Sequence, residues 1–378
     1  MLSSSYESIK DWVLNSGIYE SDQTNENYGG VHSYFDEKEN KFSFLYPEIT
    51  GYYISTMRFL FEQEEKQEFL KIAKSSTEWL IKIYEKYGSI IQGINNDNSK
   101  VPLSYSFDTC ICVNGILDYY LISNNIQYLE YAKKMIQSLI EKALEKDGTF
   151  LPFRQFDSEQ YLENKDVWYK QKGCFHIKNS ISLVKLYKIT SESHYLDHAK
   201  KICDTYQQFQ KQDGMFCIHQ DSKIVNLHTL CYALEGLLYT YNSIRNDDYL
   251  SSCKLALEWV IKQIQQDGSI ELWFNSRYRE KASYPVAQLI RIMILLDKLE
   301  KNDFYKKTID KLHSHLLSFQ KTIHPYKGGF YEEYYRSLFS WKKRLRVNSW
   351  ASMFSLQAIF LYENYDKIKF DNEIELLF

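Results

Sequence analysis

Polar and ionisable residues stand at the start of six apolar, helix-like stretches of this sequence. These starts read Tyr46-Pro47-Glu48, Phe107-Asp108-Thr109, Phe175-His176-Ile177-Lys178-Asn179, Asn226-Leu227-His228-Thr229, Tyr284-Pro285-Val286-Ala287-Gln288 and Asn348-Ser349-Trp350. Equivalent places thus carry two carboxylates, two imidazoles and an amide, although the rest of each stretch is apolar. Such a set indicates proton-transfer chemistry, because paired carboxyl groups can act as a general acid and a general base.

The two carboxylates have two interpretations. If both side chains face one cavity, we expect Asp108 and Glu48 to divide the acid and base roles of glycoside chemistry. The alternative is helix capping, since an acidic residue at a helix N-terminus stabilises free N–H groups and the macrodipole by about 0.5–2 kcal/mol. Histidine at the equivalent places caps poorly, which weighs against capping as the whole reason for the pattern.

The two histidines, His176 and His228, are also candidate catalytic residues. Imidazole titrates near neutrality and passes protons in either direction. In a hydrolase they would hold sugar hydroxyls. With Lys178 or Tyr46 they could instead remove a proton next to a carboxylate, as in a lyase or an epimerase. The alternative for each is an ordinary packed or surface histidine.

Residues for substrate binding are expected around the same starts and in the loop from Gly328 to Arg336. Tyrosine and tryptophan combine an apolar face with a polar tip, which suits sugars. That loop places two glutamates among four aromatic residues, although it could also be a packed lid. The predicted substrate-binding residues are Tyr46, Tyr105, Lys178, Asn179, Tyr284, Gln288, Glu332, Glu333, Asn348 and Trp350, with Trp350 and Tyr284 as a stacking floor.

A repeat positions these residues. An aromatic-Leu or aromatic pair followed by a glycine turn recurs five times, and the turns at Gly88, Gly148, Gly214, Gly268 and Gly328 lie 60, 66, 54 and 60 residues apart. Each repeat reads as an apolar helix followed by an amphipathic one, which predicts an inner and an outer helix. A fixed period of this length indicates one stacked supersecondary unit.

The ends of the chain complete the pattern. Residues 6–14 form an outer-type helix without an inner partner, and residues 350–362 form an inner-type helix without an outer partner. Pairing them gives a sixth hairpin. The predicted fold is therefore all-α, an (α/α)6 toroid closed by the N-terminal helix and the last inner helix, in a single domain over residues 1–378.

The amino-acid composition limits the classes of partner that the protein is expected to bind. The net charge of −3 excludes a global basic surface for nucleic acid. The basic run from Trp341 to Arg346 predicts a solvated loop or a contact with an anionic glycan or membrane surface. No apolar run reaches the length of a transmembrane helix, and no secretion signal is recognisable. The seven cysteines lack metal-binding spacing, so we expect neither a metal nor a cofactor. Their odd number and their place in apolar stretches favour free thiols, which predicts a cytoplasmic location.

The starts of the inner helices also carry a resemblance. The stretches Tyr46-Pro47-Glu48-Ile49-Thr50-Gly51-Tyr52, Phe107-Asp108-Thr109, Leu227-His228-Thr229 with Leu234-Glu235-Gly236-Leu237-Leu238, and Asn348-Ser349-Trp350-Ala351-Ser352-Met353-Phe354 resemble toroid proteins found with bacterial and archaeal polysaccharide biosynthesis genes. Those proteins are described as six-hairpin glycosidase-like or terpenoid-cyclase-like toroids. The sequence departs from them at Cys110, where a small glycine-type residue is expected. The resemblance implies a carbohydrate partner.

The leading hypothesis is a carbohydrate-active protein of surface polysaccharide metabolism, with glycoside hydrolysis somewhat ahead of other reactions. The alternatives are a sugar epimerase or polysaccharide lyase that uses His or Tyr, and a non-catalytic glycan-binding or scaffold protein. An isoprenoid cyclase is disfavoured, because the sequence has no D-x-D-D run and no Cys/His set with convincing metal spacing.

Overall fold

The computed structural model describes residues 2–94, 102–165, 167–338 and 340–378. These residues divide into two compact units. The first unit comprises Tyr19–Ser33, Phe44–Gln208 and Phe378, and the second comprises Met1–Ile18, Tyr34–Ser43 and Phe209–Leu377. The expectation of a single domain stays a prediction.

Helices dominate the secondary structure. In chain order they are α1 (Ser4–Asn15), α2 (Pro47–Glu64), α3 (Gln67–Tyr87), α4 (Ser106–Ser123), α5 (Ile126–Lys142), α6 (Ser180–Thr190), α7 (Ser193–Gln207), α8 (Leu227–Ile244), α9 (Asp247–Ile261), α10 (Ser283–Glu300), α11 (Lys306–Leu317), α12 (Ser349–Glu363) and α13 (Phe370–Glu373). The strands are β1 (Tyr34–Asp36), β2 (Lys41–Phe42), β3 (Leu103–Tyr105), β4 (Phe153–Gln155), β5 (Val225–Asn226), β6 (Trp273–Phe274), β7 (Glu280–Ala282), β8 (Phe330–Tyr331), β9 (Glu333–Arg336), β10 (Trp341–Lys343) and β11 (Arg346–Asn348). Within the described residues, no helix is both long and apolar enough to span a bilayer.

The first unit consists of three helical hairpins, α2–α3, α4–α5 and α6–α7, and α4 packs against both α2 and α6. The helices α2, α4 and α6 are buried along most of their length, whereas α3, α5 and α7 bury one stripe. Each inner helix ends at a residue in the left-handed conformation, namely Glu65, Asn124 and Ser191. A left-handed residue at this point stops the helix and turns the chain within a few residues into the outer helix.

Two glycines bring α2 and α4 close together. A methyl group on Gly115 would lie 2.5 Å from the carbonyl oxygen of Gly51, and one on Gly51 would lie 2.8 Å from that of Ile111. Only glycine permits such an approach of two helix backbones. The contact therefore sets the spacing of the two helices whose first turns carry Glu48 and Asp108.

The second unit contains the hairpins α8–α9 and α10–α11, and α1 packs against α12 as the sixth pair. Tyr6, Ile9, Trp12 and Val13 form the buried stripe of α1. The Ser3 backbone N–H also donates to Glu363 Oε2, at the end of α12, at 2.8 Å. The predicted closure by the first and last helices is confirmed.

Short strands were not predicted. They form four small sheets with the orders β2-β1-β11-β8, β10-β9-β7, β3-β4 and β5-β6. The strands β3, β5, β7 and β11 each run directly into an inner helix. Pairing of these strands therefore holds the first turns of α4, α8, α10 and α12, which carry Asp108, His228, Tyr284 and Trp350.

Candidate functional site

The first unit holds two buried carboxyl groups at helix starts. Glu48 lies in the first turn of α2 and Asp108 in the first turn of α4, with 9% and 5% of their surfaces exposed. The residues that precede these helices, Tyr46 and Tyr105, make no side-chain capping bond. The carboxyl groups therefore lie at uncapped helix N-termini, where the macrodipole favours negative charge.

The Tyr46 hydroxyl connects the two acids. It forms a hydrogen bond with the carboxyl group of Glu48 and another with that of Asp108. A phenol has one proton to donate, so it can serve two carboxyl groups fully only if one of them is protonated and donates to it. Asp108 also accepts a bond from its own backbone N–H, so helix-end binding contributes at that residue. Capping alone does not account for the pair.

The pKa values of Glu48 and Asp108 are both raised, which is consistent with one proton shared by the two carboxyl groups. Burial raises the pKa of Asp108 well above its ordinary value, and the nearby Glu48 raises it further. Burial also raises the pKa of Glu48 from 4.5 to about 7, although the Tyr46 bond and the charge of Lys178 act in the opposite direction. Lys178 is itself buried, and its ammonium lies 5.3 Å from the centre of the Tyr52 ring. Burial and the repulsion between the two carboxyl groups therefore favour a pair that holds a proton, while the charge of Lys178 favours the ionised form of Glu48.

Aromatic rings lie next to both helix starts. The Tyr105 ring is 6.1 Å from that of Tyr169, and Trp168 lies 5.5 Å from Tyr169 and 6.2 Å from Phe175. Phe107 packs edge-on against Phe175 at 5.3 Å. Faces and edges of this kind can bind the C–H surfaces of a pyranose.

His176 and Asn179 lie in the core of the first unit. They belong to a 3₁₀ helix, Cys174–Asn179, that precedes α6, and both have 0% of their surface exposed. The imidazole lies among the rings of Phe175, Phe150 and Tyr206 at 4.2–5.8 Å. Burial lowers the pKa of His176 from 6.5 to about 3. A neutral, enclosed ring serves packing, and Asn179 Nδ2 lies 3.1 Å from its Nδ1.

The second unit holds a chain of polar contacts that leads to His228. The imidazole Nδ1 lies 2.6 Å from Gln288 Oε1, and Gln288 Nε2 donates to Glu235 Oε2 at 3.1 Å. Glu235 in turn accepts from Arg291 Nη2 at 2.5 Å, and both charged side chains are fully buried. The Gln288 amide N–H group donates to Glu235, so the Gln288 oxygen is the atom that faces His228. This oxygen can only accept, and His228 Nδ1 must therefore carry the proton. The neutral ring then has its lone pair on Nε2.

Aromatic residues surround this histidine too. Its ring lies 4.1 Å from Tyr232 and 4.6 Å from Tyr284, and the Tyr284 ring is 5.9 Å from Trp350. His228 and Trp350 are half-buried, whereas Gln288 is fully buried. Gln288 is therefore a positioning residue for His228.

Two further carboxylates lie near Tyr284. Burial raises the pKa of Glu333 to about 7, with a further rise from Glu332 and Glu280, although Arg344 Nη2 lies 2.7 Å from Glu333 Oε1. Burial also raises the pKa of Glu332. The same carboxylates add to the effect of burial in raising the pKa of Tyr284.

The predicted residues thus fall into two clusters. The first unit brings together Tyr46, Tyr105, Glu48, Asp108 and Lys178. The second unit brings His228 together with Gln288, Tyr284, Trp350, Glu332 and Glu333. Asn348 is a helix cap, since its Oδ1 accepts from the Ala351 backbone N–H at 2.9 Å.

Buried charges further along the inner helices were not predicted from the sequence. Besides Glu235 and Arg291, these are Asp118 and its partners Arg58 and Lys185, at 2.6 and 2.5 Å. A charged residue inside an otherwise apolar helix is the signal that marks them. In the described parts of the chain, no group of three or more His, Cys, Asp or Glu residues is arranged to hold a metal ion.

No protein-family model and no curated protein matches the sequence. Solved structures match nearly all of it. A D-mannose isomerase has a TM-score of 0.76 and 12% identity, over 96% of this chain and 96% of that one. A cellobiose 2-epimerase from Bacillus thermoamylovorans has a TM-score of 0.74 and 12% identity, over 96% and 99%. An unsaturated glucuronyl hydrolase specific for heparin has a TM-score of 0.70 and 13% identity, over 97% and 98%.

These structural neighbours are glycosidase-like (α/α)6 toroid enzymes that act on sugars. At such low identity the likeness concerns the fold. The chain has the all-α, (α/α)6 toroid fold that its repeat predicts.

Proposed function

We propose that this protein is a carbohydrate-active enzyme that hydrolyses a glycosidic bond with Asp108 as general acid and Glu48 as general base. The observation that carries the proposal is the buried carboxyl pair bridged by the Tyr46 hydroxyl, with both pKa values raised. Paired carboxyl groups with separated protonation states are the usual equipment of glycoside hydrolysis. Sugar-acting structural neighbours add support.

The residues would act as follows. Asp108 gives its proton to the glycosidic oxygen while the bond from that oxygen to the anomeric carbon breaks. Ionised Glu48 takes a proton from a water molecule whose oxygen bonds to the same carbon. Tyr46 holds the two carboxyl groups in register, and the Lys178 charge favours the ionised form of Glu48. The adjacent rings of Tyr105 and Tyr169 would stack on sugar faces.

The proposed partner is a glycan or sugar intermediate, and the proposed setting is surface polysaccharide metabolism in the cytoplasm. That setting rests on the resemblance at the inner-helix starts and on the composition of the sequence. His176 and Asn179 take no part in proton transfer in this proposal, because both are enclosed in the core.

A second candidate is a sugar epimerase or isomerase that uses His228. The contact chain from Arg291 through Glu235 and Gln288 orients the ring so that Nε2 carries the lone pair. A base of this kind can remove a proton from the carbon next to the carbonyl of an open-chain sugar. The mannose isomerase and cellobiose epimerase neighbours favour this candidate as the runner-up.

The test of hydrolysis is a screen of neutral and uronate-containing di- and trisaccharides for release of a reducing end. On any substrate that is cleaved, we expect Asp108→Asn and Glu48→Gln to lower kcat by about 10²–10⁴-fold. Glu68→Gln is the matched control, because Glu68 is an exposed glutamate at the equivalent second position of helix α3. Unchanged turnover in both site variants would refute the assignment.

The same screen in D₂O tests the runner-up. An epimerase or isomerase would incorporate deuterium at the carbon next to the carbonyl. Loss of this incorporation in His228→Ala, with incorporation retained in Asp108→Asn, would favour epimerisation over hydrolysis. Saccharide binding in calorimetry without turnover of any kind would instead favour the non-catalytic glycan-binding alternative.

A further inference from the structure

The sheet β10-β9-β7 in the second unit separates its charges between two faces. Successive side chains of a strand point to opposite faces, and paired residues share a face. Lys281 pairs with Tyr334, which pairs with Lys343, and Arg336 pairs with Trp341. The opposite face carries Glu280, Glu333, Tyr335 and Lys342. The acids therefore lie on the face that belongs to the Tyr284 cluster, and the other face is basic.

The basic face borders a cavity of about 480 Å³. Its lining residues are Gln265, Glu271, Arg279, Lys281, Arg336 and Trp341. Three cations thus face one carboxylate, and that carboxylate is already bound by Arg279, whose Nε donates to Glu271 at 2.6 Å. Lys281 donates to Ser269 Oγ at 2.9 Å, and the Ser269 hydrogen bonds together with the Lys281 charge lower the pKa of the nearby Asp267. Among the residues that the structure describes, neither Lys281 nor Arg336 forms an ion pair, so the cavity favours an anion.

A tryptophan forms the second element of the cavity. The Lys281 ammonium lies 5.0 Å from the Trp341 ring centre and the Arg336 guanidinium lies 5.8 Å from it. Trp341 is half-buried, so part of its ring faces the cavity. Within the described residues, the Arg336 guanidinium has no carboxylate partner. Its planar donor pair matches a carboxylate or a sulfate group.

We propose that this cavity is an accessory binding site for an acidic saccharide. Lys281 and Arg336 would bind the carboxylate or sulfate group, and Trp341 would stack on the sugar ring. The volume accommodates one or two sugar residues. The site lies on the face of the sheet opposite Glu333, and it requires neither the Asp108–Glu48 pair nor hydrolysis. Of the sequence run from Trp341 to Arg346, Trp341 lines this cavity.

The experiment is calorimetric titration of the full chain with trigalacturonate, with maltotriose as the neutral probe of equal length. We expect trigalacturonate to bind at least tenfold more tightly than maltotriose, and more weakly as salt is added. Lys281→Ala and Arg336→Ala should each weaken binding by about tenfold, since each removes a charge-assisted bond. Urea unfolding of both variants checks that they remain folded.

Lys342→Ala is the matched control, because Lys342 lies on the same strand as Trp341 but on the opposite face. It should change the affinity by less than about twofold. Equal binding of both probes, or equal losses in Lys342→Ala and Lys281→Ala, would overturn the proposal, as would tighter, Arg336-dependent binding of a twelve-nucleotide single-stranded DNA. Glu48→Gln should leave trigalacturonate binding intact, so failure of the hydrolase proposal and failure of this one are distinguishable.

Discussion

Replacing Glu48 by glutamine should stabilise the folded protein above neutral pH. The folded-state pKa of this carboxyl group is raised from 4.5 to about 7, chiefly by burial. The folded state therefore holds a proton that the unfolded chain releases between these two pH values. Stability falls as pH rises through that window, and the loss is complete above about pH 7.

The size of the effect follows from the two pKa values. Each pH unit of difference corresponds to about 1.4 kcal/mol, so the ionised carboxylate costs about 3 kcal/mol of unfolding free energy at pH 8. Glutamine has nearly the same shape and retains an oxygen that can accept from the Tyr46 hydroxyl, but it does not ionise. The variant should match the original chain at pH 4 and exceed its stability by up to about 3 kcal/mol at pH 8.

The assay is urea unfolding followed by circular dichroism at pH 4, 6 and 8, with the Glu68→Gln variant as control. Glu68 is exposed at the same helix position, and its replacement should change the unfolding free energy by less than about 0.5 kcal/mol at every pH. A Glu48→Gln variant that is less stable at pH 8, or whose advantage does not grow with pH, would refute a buried carboxyl group of raised pKa.

Three further substitutions test the structure. Asp118→Asn removes the charge shared by two buried cations and should lower the unfolding free energy by about 3–5 kcal/mol in urea titrations, against less than about 1 kcal/mol for the exposed Glu78→Gln. Gly115→Ala places a methyl group 2.5 Å from the Gly51 carbonyl oxygen and should lower the thermal midpoint by the equivalent of about 1–3 kcal/mol or more. His176→Phe should unfold within about 1.5 kcal/mol of the original chain and keep its activity, because the ring serves packing; a kcat loss like that of Asp108→Asn would contradict this.

The helical framework could be predicted because its signals are long and periodic. Apolar and amphipathic helices alternate over residues 1–378, and the unpaired helices at the two ends have no other simple partner. The short strands could not be predicted, since two or three residues such as Val225–Asn226 are too few to show an alternation. Their pairing depends on loops that the helices bring together.

The candidate site residues could be predicted only where the position of a residue at a helix start determines whether its side chain is buried. Glu48 and Asp108 could be proposed as site residues because a carboxylate at the start of an apolar helix stands out. His176 stands at an equivalent place but lies in a 3₁₀ turn that directs it into the core. Substrate binding by Gln288 stays a prediction. Its contacts with His228 and Glu235 depend on neighbouring helices that a single sequence does not reveal.

Asp118 and Asp108 are both buried, but their pKa values are shifted in opposite directions. Both lie on α4 in the first unit, with 3% and 5% of their surfaces exposed. Burial would raise the pKa of Asp118, but the charges of Lys185 and Arg58 outweigh it and hold that pKa below its ordinary value. At Asp108 the neighbouring charge is another carboxylate, so burial and repulsion add and the pKa rises. Two equally buried acids on one helix therefore differ in protonation because of their partners. An apolar residue at position 108 would serve a stable core better than a buried acid. The presence of Asp108 there, bridged by Tyr46 to a second acid, therefore supports the proposed role in proton transfer.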